Sequence, residues 1–182
     1  MYYKAGLYLF TLLSVVFSCN AVLSAEAKPI EIMVLGVAQD AGYPQAGCYQ
    51  VHCLAAWENP VNKRLATSLA LIDHRHKSYY LFEASPSLPE QLWRVEQYTN
   101  QQGYKLSGIF LTHAHIGHYA GLMYLGREAM NSKELPVYLM PRFKSYLESN
   151  GPWSQLVKLN NLRLIQLSTK KSIQLGEQIH ID

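Results

Sequence analysis

The stretch "FLTHAHIGHYAGL", residues 110–122, places His113, His115 and His118 within six positions at the end of an apolar run. On an extended backbone side chains alternate between faces, so His113 and His115 point the same way and can grip one cation. His118 lies three residues on, where the chain turns into a helix, and approaches from another direction. Neutral imidazole binds zinc at about 2 Å, and one or two such ions are the expected cofactor, with iron or manganese as the alternatives. A strand running into a turn fixes ligands more firmly than a mobile loop does. A chance cluster of structural histidines is the bland alternative. Three of the seven histidines at ligand spacing after an apolar strand weigh against it. A carboxylate inside the cluster would offset the charge of a dication, yet position 117 is glycine.

Other residues carry weaker chemistry. Cys48 and Cys53 flank "YQVH". They can pair as a disulfide, hold a structural metal together with His52, or remain free thiols. His74 and His76 fall in the polar turn "HRHK" and read as solvated. Asp40 follows the first strand in a glycine-containing loop. It either faces the metal and replaces some of the charge missing at Gly117, or is an ordinary turn aspartate. No Ser/His/Asp arrangement and no phosphate-cradling glycine loop competes with the histidines.

The elements that must position these residues alternate between strand and helix. "IEIMVLGV" reads as a strand ending at the loop "AQDAGYPQAGC". "ATSLALID" and "SYYLFEA" read as a hairpin about the "HRHK" turn. Ser87 and Glu90 form the pattern of a capping box, opening a helix with Leu88, Leu92 and Val95 on one face and Gly103 at its end. "LSGIFLT" is a buried strand that delivers the histidines, and "HYAGLMYLGREAM" a helix weakened by Gly121 and Gly126. "LPVYLM" is a strand, "PRFKSYLESNG" a short helix with Pro at its start and Gly at its end, and "NLRLIQL" and "KSIQLGEQIHID" further strands. His180, between two isoleucines in the last of these, reads as structural. The pattern is that of a layered α/β domain with a mixed sheet.

A chain of 182 residues with 49% hydrophobic and 16% charged residues is globular in composition. Its net charge of +3 comes from scattered basic residues, which leaves no stripe for nucleic acid; the partner expected of a metal site of this kind is a small-molecule substrate. Lys4, the apolar run "AGLYLFTLLSVVF" and "AEA" at Ala25–Ala27 compose an export signal over residues 1–27, with the domain occupying 28–182. The competing reading is an amino-terminal anchor, for which the run is short. Acylation at Cys19 is disfavoured by Phe17 in "VFSC". The mature protein is thus expected in the periplasm or secreted, without a stable membrane span. Its even pair of cysteines suits an oxidising compartment.

"LTHAHIGHYAGL" resembles the His-x-His-x-Asp-His signature of the metallo-β-lactamase superfamily, whose fold is an αββα sandwich. "VLGVAQDAGYPQAGC" and "YYLFEASPSLPEQL" are similar to the branch that contains pyrroloquinoline-quinone biosynthesis protein B. The resemblance runs from about Ile30 to the end of the chain. It implies that His113 and His115 bind a first metal and His118 helps bind a second, with Gly117 replacing the family aspartate and weakening that second site. Gly117→Asp should then strengthen it, provided the backbone admits a Cβ. The resemblance also suggests Glu83, at a strand end near the motif, as an acceptor that orients a ligand; an ordinary strand-end carboxylate is the alternative. The reaction class implied is hydrolysis of an ester, amide, lactone or phosphoester by metal-activated water. Metal-dependent oxygenation and a non-catalytic exported metal-binding domain are the other readings. Family members place further ligands in a second half, so the 182 residues are expected to hold the first half to two-thirds of the fold, with an incompletely covered core.

Overall fold

The computed structural model describes residues 29–176 and 179–182; the expected export signal and Cys19 lie outside them. Six strands form one mixed sheet in the order β1 (Ile30–Gly36), β2 (Ser68–Asp73), β3 (Ser78–Phe82), β4 (Lys105–Phe110), β5 (Leu135–Leu139) and β6 (Leu162–Gln166). β1, β2 and β3 pair antiparallel, whereas β3 to β6 run parallel. A second, two-stranded sheet pairs β7 (Ile173–Leu175) with β8 (Ile179–Ile181). The expected single strand over "KSIQLGEQIHID" is therefore two, with Gly176 at φ +62° after β7. His180 lies exposed on β8 opposite Gln174.

Each parallel connection carries helix. α1 (Val51–Glu58) precedes β2, α2 (Leu88–Tyr98) links β3 to β4, and α3 (Ile116–Tyr119) with a 3₁₀ segment (Ala120–Leu125) links β4 to β5. α4 (Pro141–Ser149) and α5 (Trp153–Lys158) link β5 to β6. Because the strand order advances steadily, connections of one hand fall on one face. Leu88 and Val95 of α2, Leu122 and Leu125, and Phe143 and Leu147 of α4 bury there against Ile72, Leu81, Ile109, Val137 and Leu139. Strand alternation sends Leu71, Phe110, Phe82 and Tyr138 to the opposite face, where the β7–β8 hairpin covers them with Leu175 and Ile179. Ile32 and Val34 of the edge strand β1 stay 69% and 58% exposed. Among the described residues no helix is long and apolar enough to cross a membrane.

Three local expectations fail for identifiable reasons. The capping box does not form, because the Ser87 hydroxyl accepts from the Ala66 N–H at 3.3 Å and Glu90 pairs with Arg94 at 3.1 Å. The helix expected over "HYAGLMYLGREAM" is one α-turn followed by 3₁₀ structure, since Gly121 lies so near the chain leaving β3 that a Cβ would stand 2.1 Å from the Ser85 carbonyl oxygen. His74 and His76 are not merely solvated. His74 bonds Glu31 at 2.9 Å and the Tyr104 hydroxyl at 2.8 Å, and His76 bonds the buried Asp73 at 2.7 Å. Burial raises the Asp73 carboxyl. The His76 ring and the His76 and Arg75 backbone N–H groups outweigh that and hold it below its ordinary value.

Candidate metal centre

The histidines stand at the carboxyl end of β4, beside the end of β3. β3 and β4 are parallel with Phe82 level with Phe110, so Glu83 emerges next to the start of the histidine turn. Backbone bonds stitch the two segments together. The Glu83 N–H donates to the Phe110 carbonyl, the Ala84 N–H to the His118 carbonyl, and the Gly121 N–H to the Ala84 carbonyl, at 2.9, 2.9 and 2.8 Å. Glu83 adopts φ +76°, a left-handed conformation costly for a side chain with a Cβ, and its carboxylate is buried. Backbone strain of this kind persists only where surrounding contacts enforce it.

Ligand atoms of Glu83, His113 and His118 lie within 4.8 Å of one another. His115 lies on the exposed side, its Nδ1 3.1 Å from Nε2 of His113, and is not among the three residues whose ligand atoms converge. Tetrahedral bonds of about 2.0–2.2 Å need donor atoms roughly 3.3–3.6 Å apart, the scale of the 3.5 Å between His118 Nδ1 and Glu83 Oε1. The His118 Nδ1 is buried without a hydrogen-bond partner. It sits 3.5 Å from Glu83 Oε1 without the alignment of a hydrogen bond. A buried nitrogen without a hydrogen-bond partner beside a buried carboxylate fits the donor set of a cation. The mixed nitrogen and oxygen donors fit a divalent transition metal.

Thr112 was not singled out by sequence, yet it organises the site. Its hydroxyl donates to Glu83 and lies 2.8 Å from His113 Nδ1, so one small side chain ties carboxylate to imidazole. The only signal for it in the sequence is a polar residue placed between the apolar run and the first histidine. Deeper in, Tyr119 is pushed up to about 12 by burial and by its hydrogen bond with Tyr146, so it remains a neutral phenol.

Gly117 is buried, and a Cβ there would stand 2.5 Å from the Asp40 carbonyl oxygen. It is thus the backbone of Asp40 that abuts the motif. The exposed Asp40 carboxylate is not among the ligand atoms brought together at the cluster. Cys48 and Cys53 are joined as a disulfide with Cα atoms 6.0 Å apart, and His52 Nε2 lies 3.6 Å from Cys48 Sγ. A bridge engages both sulfurs, so the structural-metal alternative is not the state seen.

Comparison with known proteins agrees with this architecture. The family model described as "Beta-lactamase superfamily domain" matches residues 78–182, more than half of the chain. Coenzyme PQQ synthesis protein B of Rhodopseudomonas palustris (strain TIE-1) is 29% identical over 132 residues, 70% of this chain and 41% of that protein. The crystal structure of Zn(2+)-bound PqqB from Methylobacterium extorquens superposes with a TM-score of 0.64 at 21% identity, over 79% of this chain and 48% of that one. A diphosphatase from the PhnP family gives 0.59 at 20% identity, over 81% and 53%. At such identities the two solved structures share the fold. The chain spans about two-fifths of the curated relative and half of the solved ones. With strand order, histidine motif and family model in agreement, this chain belongs to the metallo-β-lactamase superfamily and is similar to the coenzyme PQQ synthesis protein B.

Proposed function

We propose that the chain carries the metal-binding part of an exported, zinc-dependent hydrolase acting on a small ester, amide, lactone or phosphoester. One observation supports it most: donors from two neighbouring strand ends converge around a buried nitrogen, His118 Nδ1, that has no other partner. His113, His115 and His118 would hold the ion, with Glu83 as ligand or charge-balancing neighbour. A bound zinc ion supplies Lewis acidity, lowering the pKa of a water to about 7 and polarising a carbonyl or phosphoryl oxygen. The chain's own groups do the rest. Glu83 places its carboxyl group beside His118, and Thr112 ties that group to the His113 ring. The exposed faces of His113 and His115 leave the centre open to a substrate.

Metal analysis of purified protein, with hydrolysis of bis(p-nitrophenyl) phosphate and p-nitrophenyl acetate, tests this. Bound zinc should disappear in the His113→Ala/His115→Ala variant; unchanged stoichiometry there would show that the site is elsewhere. The similarity to a coenzyme synthesis protein favours a second reading, metal-dependent oxidation in the making of a cofactor. Iron in place of zinc, with oxygen uptake and no ester cleavage, would select it.

A further inference from the structure

Beside the histidine turn lies a cleft of about 400 Å³ whose walls include Thr112, His113, Met140, Arg142, Phe143 and Tyr146. That volume falls within the range of about 300–1,000 Å³ usual for small-ligand sites. Met140 and Tyr146 are 39% and 38% exposed, leaving apolar surface open to solvent directly against the first histidine. The wall is stiff. Phe143 packs edge-on to Tyr119 at 5.2 Å, and Tyr146 shares a hydroxyl contact with Tyr119 at 3.3 Å and a ring contact with Trp153 at 6.2 Å.

Arg142 is the one charged group in this lining. Among the described residues it makes no ion pair or hydrogen bond, whereas Lys144 of the same helix is engaged by Glu148. It also occupies the first turn of α4, where a cation opposes the helix dipole. Neither helix stability nor pairing accounts for a guanidinium there. Its planar fork of donors suits an oxyanion, as a carboxylate or a phosphoryl group would present.

We propose that Arg142 and the Met140–Tyr146 wall form a specificity subsite for an anionic substrate with an apolar body. The body, of about the size of one aromatic ring, lies on Met140 and Tyr146. Arg142 receives the oxyanion, and His113 at the cleft's edge faces the bond to be broken. This rests on the histidine cluster being the reacting centre, and it narrows the substrate class from any small ester, amide, lactone or phosphoester to an anionic one.

Titration calorimetry with phenylphosphonate, benzoate and benzamide, each with and without EDTA, tests the subsite separately from the metal. At least one of the two anions should bind tenfold or more tightly than neutral benzamide, and the tighter of them identifies the oxyanion. The preference should persist in EDTA, fall to within twofold in Arg142→Gln, and survive in part in Arg142→Lys. Arg142 is exposed, so both variants should keep the wild-type circular dichroism. Equal affinity for all three compounds, or an unchanged preference in Arg142→Gln, would overturn the subsite. A preference present only without EDTA would also overturn it, assigning anion binding to the metal. Loss of zinc binding in otherwise selective protein would refute the metal centre alone.

Discussion

Restoring an aspartate at position 117 should damage the protein rather than improve its metal site. The Cβ of any residue there would stand 2.5 Å from the Asp40 carbonyl oxygen and 2.9 Å from Asp40 Cα. An ordinary carbon–oxygen contact is roughly 3.3 Å, so either the loop or the histidine turn must move by nearly an ångström. Neither yields readily. Ala38 donates to the Leu65 carbonyl and accepts from Thr67, each at 2.9 Å, and Tyr43 and Arg64 exchange bonds of 2.8 and 2.9 Å on the other side of Asp40. The histidine turn is held by the bond from Ala84 to His118. Overpacking costs about 1–3 kcal/mol, and a pinned loop puts Gly117→Ala in the upper part, about 2–3 kcal/mol. For a chain of this length each kcal/mol lowers Tm by about 2–4 °C, so Gly117→Ala should melt about 4–12 °C below wild type. Gly117→Asp adds a carboxylate directed at a carbonyl oxygen and should lose at least about 1 kcal/mol more. Thermal melts followed by circular dichroism, with zinc occupancy measured below the transition, compare all three proteins. A Gly117→Asp protein of unchanged Tm, or with raised occupancy, would refute the argument from close approach.

Two further outcomes follow from buried carboxylates. Glu83→Gln should weaken zinc binding about 10–100-fold in competition with a chromophoric chelator, the usual cost of removing a group that orients or balances a ligand; unchanged affinity would leave Glu83 an ordinary strand-end residue. The Asp73 carboxyl is held below its ordinary value in the fold, so its contribution is complete above the unfolded value near 3.8 and is lost as pH falls through the lower folded value. Urea unfolding from pH 6 down to pH 2.5 should show Asp73→Asn less stable by about 1.5–3 kcal/mol at pH 6, the difference shrinking below pH 4; a constant difference would mean that the ionised carboxylate contributes nothing.

What the sequence made legible was the local part of this design. Apolar runs of strand length delivered β3, β4 and β5, and the histidine cluster stood out by its spacing directly after β4. The long-range part was not legible. That Glu83 meets His118 depends on the parallel pairing of β3 with β4, which no spacing encodes. That Gly117 is glycine because Asp40 lies against it depends on a loop much earlier in the chain. The "SLPE" capping pattern misled because the Ser87 hydroxyl was claimed by Ala66 from another element. α1 was missed because "VHCLAAWE" has no clean apolar stripe: Cys53 and Ala56 bury while Val51, Leu54 and Trp57 face solvent. In each case a contact distant in sequence decided what a local pattern could not.

Metal centre and cleft share one determinant, the register of three parallel strands. Phe82, Phe110 and Tyr138 lie level across β3, β4 and β5, with ring centroids 5.2 and 4.3 Å apart and nearly parallel planes. Strands about 4.8 Å apart then release Glu83, next Thr112 and His113, and next Met140 and Arg142 side by side along one rim. That row requires a correction within β4. Tyr79 pairs with Leu106 but Tyr80 with Gly108, so Ser107 is an extra residue that advances β4 by one. Without it Phe82 would pair with Ile109, and the histidines would start one residue further from Glu83, with β4's side chains turned to opposite faces relative to their β3 partners. Gly108, just after the bulge, has no Cβ to meet the rings of Tyr138 and Tyr80, which would stand 2.8 and 3.1 Å from one. The small residue lets two aromatic side chains close over β4 and hold the corrected register. A carboxylate, a histidine cluster and an unpaired arginine from three separate stretches of sequence thereby reach the same edge of the sheet.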